Sequence, residues 1–487
     1  MLLVARAAVA AGPLNVGGYV DGIAVAPTEH SERQQPQGVL DAWAEGGPVP
    51  WLHGRLELRG RIGGPFEGGS GIGVYNFDDT FQNVSPAFDA PEAWVELRGK
   101  QAELRAGLQR FAWGKLDGAP PTDVVNPRDF HDPIVQDFEE RKLGVPALTG
   151  TYYLPDLPSL ALNGLRATLA WLPWAVPPHL ALVEERWFPT ALIPTHSIAL
   201  SQSQIDLLEA ALPGVPIAKR IPLSFATVNR TPPRQFDAGA IAFRLAGTWR
   251  ESDWDLYHYS GAETSPDLEA LPVAYLKLPL TRFAPTATSY LTQQHDTIHM
   301  TGADVSTAAG PFTFRAEGAW FLGRPYLRDS RDLVSPAVLT TAKITRVATQ
   351  LLQHGRAKVP VPDLFPSQDS VEWGVGADAL WNGFQPMLQV NQIVILDSHP
   401  TLLVHDPETR LTGVLRKRFL ADRLELELRG AYLVERGGFL IYPRATYRIR
   451  DDVRLRLGYL SVGGPSASYI GQFHDNDEVV MEARYTF

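Results

Sequence analysis

Arginine and glutamate recur at every second position in several separated stretches of this chain. Arg55, Glu57, Arg59 and Arg61 alternate with Leu56, Leu58 and Gly60. Glu103 and Arg105 flank Leu104, and Arg416 and Arg418 flank Lys417. Glu425, Glu427 and Arg429 alternate with leucines, as do Arg454 and Arg456, and Glu482 and Arg484 flank Ala483. A guanidinium is a permanent cation whose donors match carboxylate or phosphate geometry. Ranks of them suit two tasks: attracting anionic solutes, or pairing with the carboxylates interleaved among them.

Other chemistries find little support. The chain has no cysteine, which excludes disulfides, thiolate metal sites and cysteine nucleophiles. His295 and His299 are four apart, but the intervening Asp-Thr-Ile lacks the zincin glutamate, so no metal site is expected. There is neither a Gly-x-Ser-x-Gly elbow nor a phosphate loop. No catalytic residue and no cofactor are therefore expected, and the chain reads as a non-enzyme. A formal net charge of -10 disfavours nucleic acid as a partner.

The elements carrying these charges read as β-strands. Side chains along a strand point alternately to opposite faces, so each stretch has one charged and one apolar side. The strands run to about 9–12 residues, the length that crosses a bilayer at a tilt, against about 5–6 for soluble strands. No apolar run of ~18 residues occurs, so a transmembrane helix is not expected. Short turns and long loops tend to alternate. The expected fold is all-β: a single transmembrane antiparallel β-barrel of about 16 strands (14–18) spanning residues 13–487, with long extracellular loops. A large β-sandwich or propeller is the soluble alternative, but no repeat of 40–50 residues is evident.

Residues 1–12 resemble the end of a secretory signal or a disordered apolar start. Pro27 to Gly47 reads as a loop. Residues 173–235 and 324–370 read as long loops with short helices near His196 to Leu212 and between Ser335 and Gly355.

In a barrel facing lipid, the charged side must point inward, because an arginine at the bilayer midplane costs about 2–4 kcal/mol. Arg55, Arg59, Arg61, Arg105, Arg315, Arg410, Arg416, Arg418, Arg429, Arg454, Arg456 and Arg484 are thus expected to face inward and line a pore. For most of them, cross-strand pairing with glutamates such as Glu57, Glu427 and Glu482 is the preferred reading over a net positive lumen. Arg416 and Arg418 with Arg454 and Arg456 form the cluster expected to be least balanced.

One excursion stands apart. After the strand Glu103 to Trp113, the chain runs through a polar, proline-broken segment, 114–145, before a strand near Ala147. Asp117, Asp123, Asn126, Arg128 and Asp129 could build a constriction folded into the lumen. Turn chemistry alone accounts for Asp117-Gly118 and Asn126-Pro127, so both readings stand.

Three resemblances follow. The ending Glu-Ala-Arg-Tyr-Thr-Phe resembles the terminal strand of Gram-negative outer-membrane β-barrels. That implies recognition of Tyr485 and Phe487 by the barrel assembly machinery, and contact with outer-membrane lipid and lipopolysaccharide. Trp113-Gly114, Asp117-Gly118, Thr122-Asp123-Val124, Asn126-Pro127-Arg128-Asp129 and Arg141-Lys142 resemble an uncharacterised porin-like barrel family of unknown function, often encoded near resistance-nodulation-division exporters. The resemblance implies an outer-membrane channel for small, hydrophobic or lipid-like solutes. It allows coupling to an inner-membrane exporter and periplasmic proteins. Arg110-Phe111 with Trp113-Gly114 is more weakly similar to barrels that export anionic polysaccharide.

Overall fold

The computed structural model describes residues 14–28, 36–64, 81, 85–118, 120–131, 138–183, 185–193, 195–228, 239–277, 279, 281–335, 337–396 and 402–487. The segment read as a signal remnant lies outside the described residues. The strands are β1 (Asn15–Pro27), β2 (Gln37–Val49), β3 (Leu52–Gly63), β4 (Ala87–Arg98), β5 (Ala102–Gln109), β6 (Val145–Tyr153), β7 (Leu162–Leu172) and β8 (Ser197–Ala199). They continue as β9 (Arg220–Thr227), β10 (Ala240–Trp249), β11 (Ser252–Ala262), β12 (Leu268–Tyr275), β13 (Thr286–Gln293), β14 (Thr297–Ala309), β15 (Phe312–Pro325) and β16 (Arg356–Lys358). The last are β17 (Ser367–Ala379), β18 (Phe384–Ile395), β19 (Glu408–Phe419), β20 (Leu424–Leu433), β21 (Phe439–Arg450), β22 (Val453–Gly463) and β23 (Glu478–Thr486). Two helices, α1 (Gln202–Ala211) and α2 (Thr341–His354), lie between them.

Eighteen strands form one sheet, each pairing antiparallel with the next barrel strand in chain order. The sheet closes because β1 pairs with β2 on one side and β23 on the other, with Tyr19 opposite Thr486 and Pro27 opposite Glu478. Closure leaves no free edge, which satisfies every ladder group without water. The count of 18 is at the top of the expected 14–18, two above its central figure of 16. One source of the difference is β2, which falls largely in the segment read as a loop. Its Gly-Gly-Pro end looks like a turn in sequence, but the strand absorbs it as a bulge between Gly46 and Val49.

Alternation sets the two faces. On β3, Leu56, Leu58 and Ile62 are 49%, 52% and 61% exposed, while Glu57, Arg59 and Arg61 are 4%, 5% and 2% exposed. The apolar side is therefore the outer wall and the charged side the inner one. Short turns such as Arg250-Glu251 and Asp451-Asp452 gather at one rim, and the long connections at the other. No described helix is long and apolar enough to cross a membrane.

At the loop rim, three connections build a second sheet in the order β16-β12-β13-β9-β8. β13 and β9 are parallel and the other neighbours antiparallel. Leu208 of α1 and Val347 and Leu351 of α2 pack on it with Leu223, Ala274 and Ala287. α1 starts in a capping box at Ser201 and Gln204. α2 starts at Thr340, a few residues beyond Ser335, and ends at Gly355 with φ 69°.

Candidate functional site

The excursion leaves the wall where β5 stops. That strand ends at Gln109, short of the expected Trp113. Fully buried Asn126 explains the break: its Nδ2 donates to the Gln109 and Leu143 carbonyls at 3.1 and 2.7 Å, and its Oδ1 accepts from the Phe111 N–H at 2.7 Å. One amide thus clasps both ends of the segment, in place of ladder bonds that β5 and β6 can no longer make.

Beyond the clasp, the segment reaches across the barrel interior. The inward carboxylate of Glu317 on β15 accepts the Lys115 N–H at 2.9 Å, the Leu116 N–H at 3.2 Å, the Thr122 N–H at 2.8 Å and the Thr122 hydroxyl at 2.7 Å. Gly114, with φ +80°, allows this approach, since a Cβ there would sit 2.7 Å from Glu317 Oε1. Lys115 Nζ lies 3.1 Å from Asp255 and 2.8 Å from Asp304. With its amide oriented to suit its neighbours, Gln389 on β18 donates to the Asp117 carbonyl at 2.8 Å and accepts from the Asp117 N–H at 2.9 Å.

On the opposite side, Arg61 donates to Asp129 at 2.7 Å, Arg59 to the Glu140 carbonyl at 3.1 Å, and Arg484 to the Glu140 carboxylate at 3.2 Å. Arg128 pairs with Asp123, and Lys142 Nζ stands 2.9 Å from the same carboxylate. Burial pushes the Asp123 carboxyl above its ordinary range, with Arg128 and Lys142 working against it. At Asp129 burial pushes the same way but loses: His131 and Arg61 hold this carboxyl well below the usual range.

Between these anchors the segment has an apolar core. Trp113, Val124, Val125 and Leu143 pack with Ala147, Ala170, Ala242, Ile298 and Met300. The inner faces of β6, β7 and β10 thus carry small apolar residues where the segment packs against them.

Among the described residues, every inward arginine named so far except Arg410 is paired, Arg61 included. Arg55 meets Glu45 at 2.9 Å and Glu92 at 3.1 Å, Arg59 meets Asp41 at 2.8 Å, and Arg105 donates to Glu96 at 2.7 Å. Arg484 donates to Asp21 at 2.8 Å. The cluster expected to be least balanced is paired as well. Arg416 lies 2.6 Å from Glu427, Arg418 2.9 Å from Glu425, and Arg454 and Arg456 3.3 and 2.7 Å from Glu482. Arg429 also pairs with Glu427. Glu427, Glu425 and Glu482 sit directly opposite Arg416, Arg418 and Arg456, Glu482 is two positions from the residue opposite Arg454, and Glu427 is two positions from Arg429 on the same strand.

Tyr485 and Phe487 face outward, 46% and 54% exposed, and Phe487 exchanges backbone hydrogen bonds with Gly18. His299 meets the Ser260 hydroxyl at 2.9 Å, and among the described residues no histidine, aspartate and glutamate group is disposed to hold a metal.

Two cavities inside the barrel, bounded by described residues, adjoin each other. One, of about 320 Å³, lies toward the loop rim, bounded by Leu180, Leu192, Leu268, Phe365 and Ile393. The other, of about 750 Å³, extends toward the turn rim past Arg315, Asp378, Thr412 and Arg416 to Pro311 and Leu380. Both walls include Gly118, Phe138 and Arg410. Arg410 belongs to the inward set on β19, but its sequence gives no sign that it differs from its neighbours. Phe138 carries no signal at all, because its place depends on the fold of the whole segment.

Several solved structures are similar to this chain at low identity. OccAB1 of Acinetobacter baumannii is 9% identical, covering 98% of this chain and 96% of its own, with a TM-score of 0.47. OpdK of Pseudomonas aeruginosa, solved with vanillate, is 8% identical over 97% of this chain and 98% of its own, with a TM-score of 0.46. OmpF of Salmonella typhi, solved with daunomycin, is 10% identical over 97% of each chain, with a TM-score of 0.40. No curated protein matches the chain. A family model described as a protein of unknown function, DUF1302, matches residues 73–396, from before β4 to just beyond β18 and across the whole inward segment. With well over half of its length matched, the chain belongs to the DUF1302 family.

Proposed function

We propose that this protein is a porin-like channel of the Gram-negative outer membrane, passing small or hydrophobic solutes through a lumen narrowed by the segment 110–144. The observation that supports it most is the pair of cavities on either side of Gly118, Phe138 and Arg410, one toward each rim of a closed barrel. A closed sheet with an apolar outer wall is one of only two ways for a backbone to cross a bilayer. The cavities lie against the wall from β15 to β21, and the constriction is held from both sides, by Glu317 and Gln389 on this wall and by Arg59, Arg61 and Arg484 on the opposite one. Coupling to an inner-membrane exporter, and contacts with periplasmic proteins, lipopolysaccharide and the assembly machinery, belong to the same proposal.

An exit for an anionic polysaccharide is the weaker reading. A polyanion needs a run of available cations, and Arg416, Arg418, Arg454 and Arg456 each have a glutamate.

Planar-bilayer recording of the purified, heat-modifiable protein tests the proposal. A small conductance is expected from the intact chain, rising several-fold when Gly118 to Glu139 is deleted. No conductance from either form, or fractionation with soluble periplasmic proteins, would overturn it.

A further inference from the structure

We infer that the chamber toward the loop rim is a binding site for an amphipathic monoanion: one carboxylate-like charge on a compact apolar body. The inference deepens the channel reading and rests on it. The body is set by the chamber's walls, where Leu180, Leu192, Leu268, Leu327, Phe365 and Ile393 supply apolar side chains. Such a surface gains from displacing water onto a hydrocarbon group and offers a polyol little. At about 320 Å³ the chamber is at the small end of ordinary ligand pockets. At roughly 30 Å³ per small heavy group, it holds a compound of roughly ten non-hydrogen atoms.

The charge is set by Arg410. Three arginines border this chamber. Arg128 is paired with Asp123, and Arg324 lies 3.3 Å from Glu263 and 2.8 Å from Glu372. Among the described residues, Arg410 has no hydrogen-bonded or ion-paired side chain, and its Nε is buried without an acceptor. Glu408, two positions along the same inward face, accepts the His405 N–H at 3.3 Å and makes no salt bridge with Arg410. Across the strand pair Arg410 faces Asn391 and Leu433, neither of which is an anion. Among the described residues Glu408 interacts with Arg410 electrostatically but not within salt-bridge distance, and a half-buried guanidinium without a contacting anion is costly unless a ligand or solvent supplies one. Arg410 stands where the chamber meets the second cavity. A carboxylate held there would leave its apolar tail in the chamber and its charge at the way onward.

Single channels in planar bilayers with octanoate as the probe test this. Acetate carries the charge without the body, and octylammonium carries the body with the opposite charge. Octanoate is expected to interrupt the potassium chloride current at a concentration at least tenfold lower than either control. Arg410→Gln should raise that concentration at least tenfold relative to the concentration at which acetate blocks the same variant channel, and Arg410→Lys should retain part of the effect. Equal block by acetate, or octanoate block unchanged in Arg410→Gln, overturns the site and leaves the channel standing. If neither the wild-type protein nor the form lacking Gly118 to Glu139 conducts, the channel reading falls. Equilibrium binding of radiolabelled octanoate to the detergent-solubilised protein then decides the site alone. Saturable binding lost in Arg410→Gln upholds it, and its absence overturns it.

Discussion

The two long walls of this barrel use the same alternation to different ends. On β2 and β3, Asp41, Glu57, Arg59 and Arg61 are all nearly inaccessible, and the guanidiniums are consumed by buried carboxylates, including Asp129 from the inward segment. On β17 to β19 the inward face holds Asn391, Gln389, Thr412 and Arg410, and cavities lie against it. A period of two places a charge inside the barrel in both walls. Whether that charge fixes a plug or stays available to a solute depends on which carboxylates arrive from elsewhere in the chain.

The sharpest way to break this contrast is to release the segment from the wall it reaches toward. Glu317→Ala removes the acceptor of four hydrogen bonds. Bonds to a charged group contribute about 1.5–3 kcal/mol each, so several kcal/mol are at stake. Single-channel conductance should rise several-fold and fluctuate; an unchanged, quiet conductance would show that Glu317 does not hold the constriction.

Attacking the anchoring wall should chiefly affect stability. Arg61→Ala leaves Asp89 and Asp129 buried without this cation. Removing one member of a buried pair costs about 3–5 kcal/mol. Urea unfolding in detergent should show a midpoint lowered accordingly, and a shift below about 1 kcal/mol would mean that this wall is not bound by its charges.

Arg410→Gln completes the comparison with the opposite signature. With no ion pair to lose among the described residues, its unfolding midpoint should move by no more than about 0.5 kcal/mol. Reversal potentials in a salt gradient should nevertheless shift toward cation preference. Stability loss comparable with Arg61→Ala would erase the distinction between the walls.

The smallest expected effect is at the loop rim. Asp267 is fully buried beside Asp296, and burial followed by that neighbour pushes its carboxyl up to about 8. An unfolded aspartate titrates near 3.9, so the folded form holds a proton more tightly. The associated stability is fully present below about pH 4 and is lost as pH rises through about 8, at no more than about 1.4 kcal/mol per pH unit. Amide exchange in the β12–β13 hairpin should therefore quicken between pH 6 and 8 beyond the intrinsic base-catalysed increase. Asp267→Asn, which can still accept the Asp296 N–H, should flatten that excess. An identical profile in the variant would refute the assignment.

Local pattern was enough for the outward and inward faces, because side-chain direction along a strand depends only on period. It was also enough for the turns at Asp451-Asp452 and the stop of α2 at Gly355, where one or two residues dictate the backbone. It failed at β2, whose glycines and proline imitate a turn but form a bulge. It could not yield the small five-stranded sheet, which is assembled from three separate loops.

The inward segment divides the same way. Its sequence announces an excursion of polar and proline residues, and the asparagine before Pro127 reads as turn chemistry. That Asn126 closes the segment by bonding Gln109, Phe111 and Leu143 follows only from the folded chain. The bond from Thr122 to Glu317 joins positions 195 residues apart. Likewise, sequence determined that Arg410 and Arg416 both face the lumen. Tertiary structure alone decided that Arg416 has Glu427 opposite it while Arg410 faces Asn391 and Leu433. Facing is a property of one strand, whereas neutralisation is a property of the register between strands and of what folds in against them.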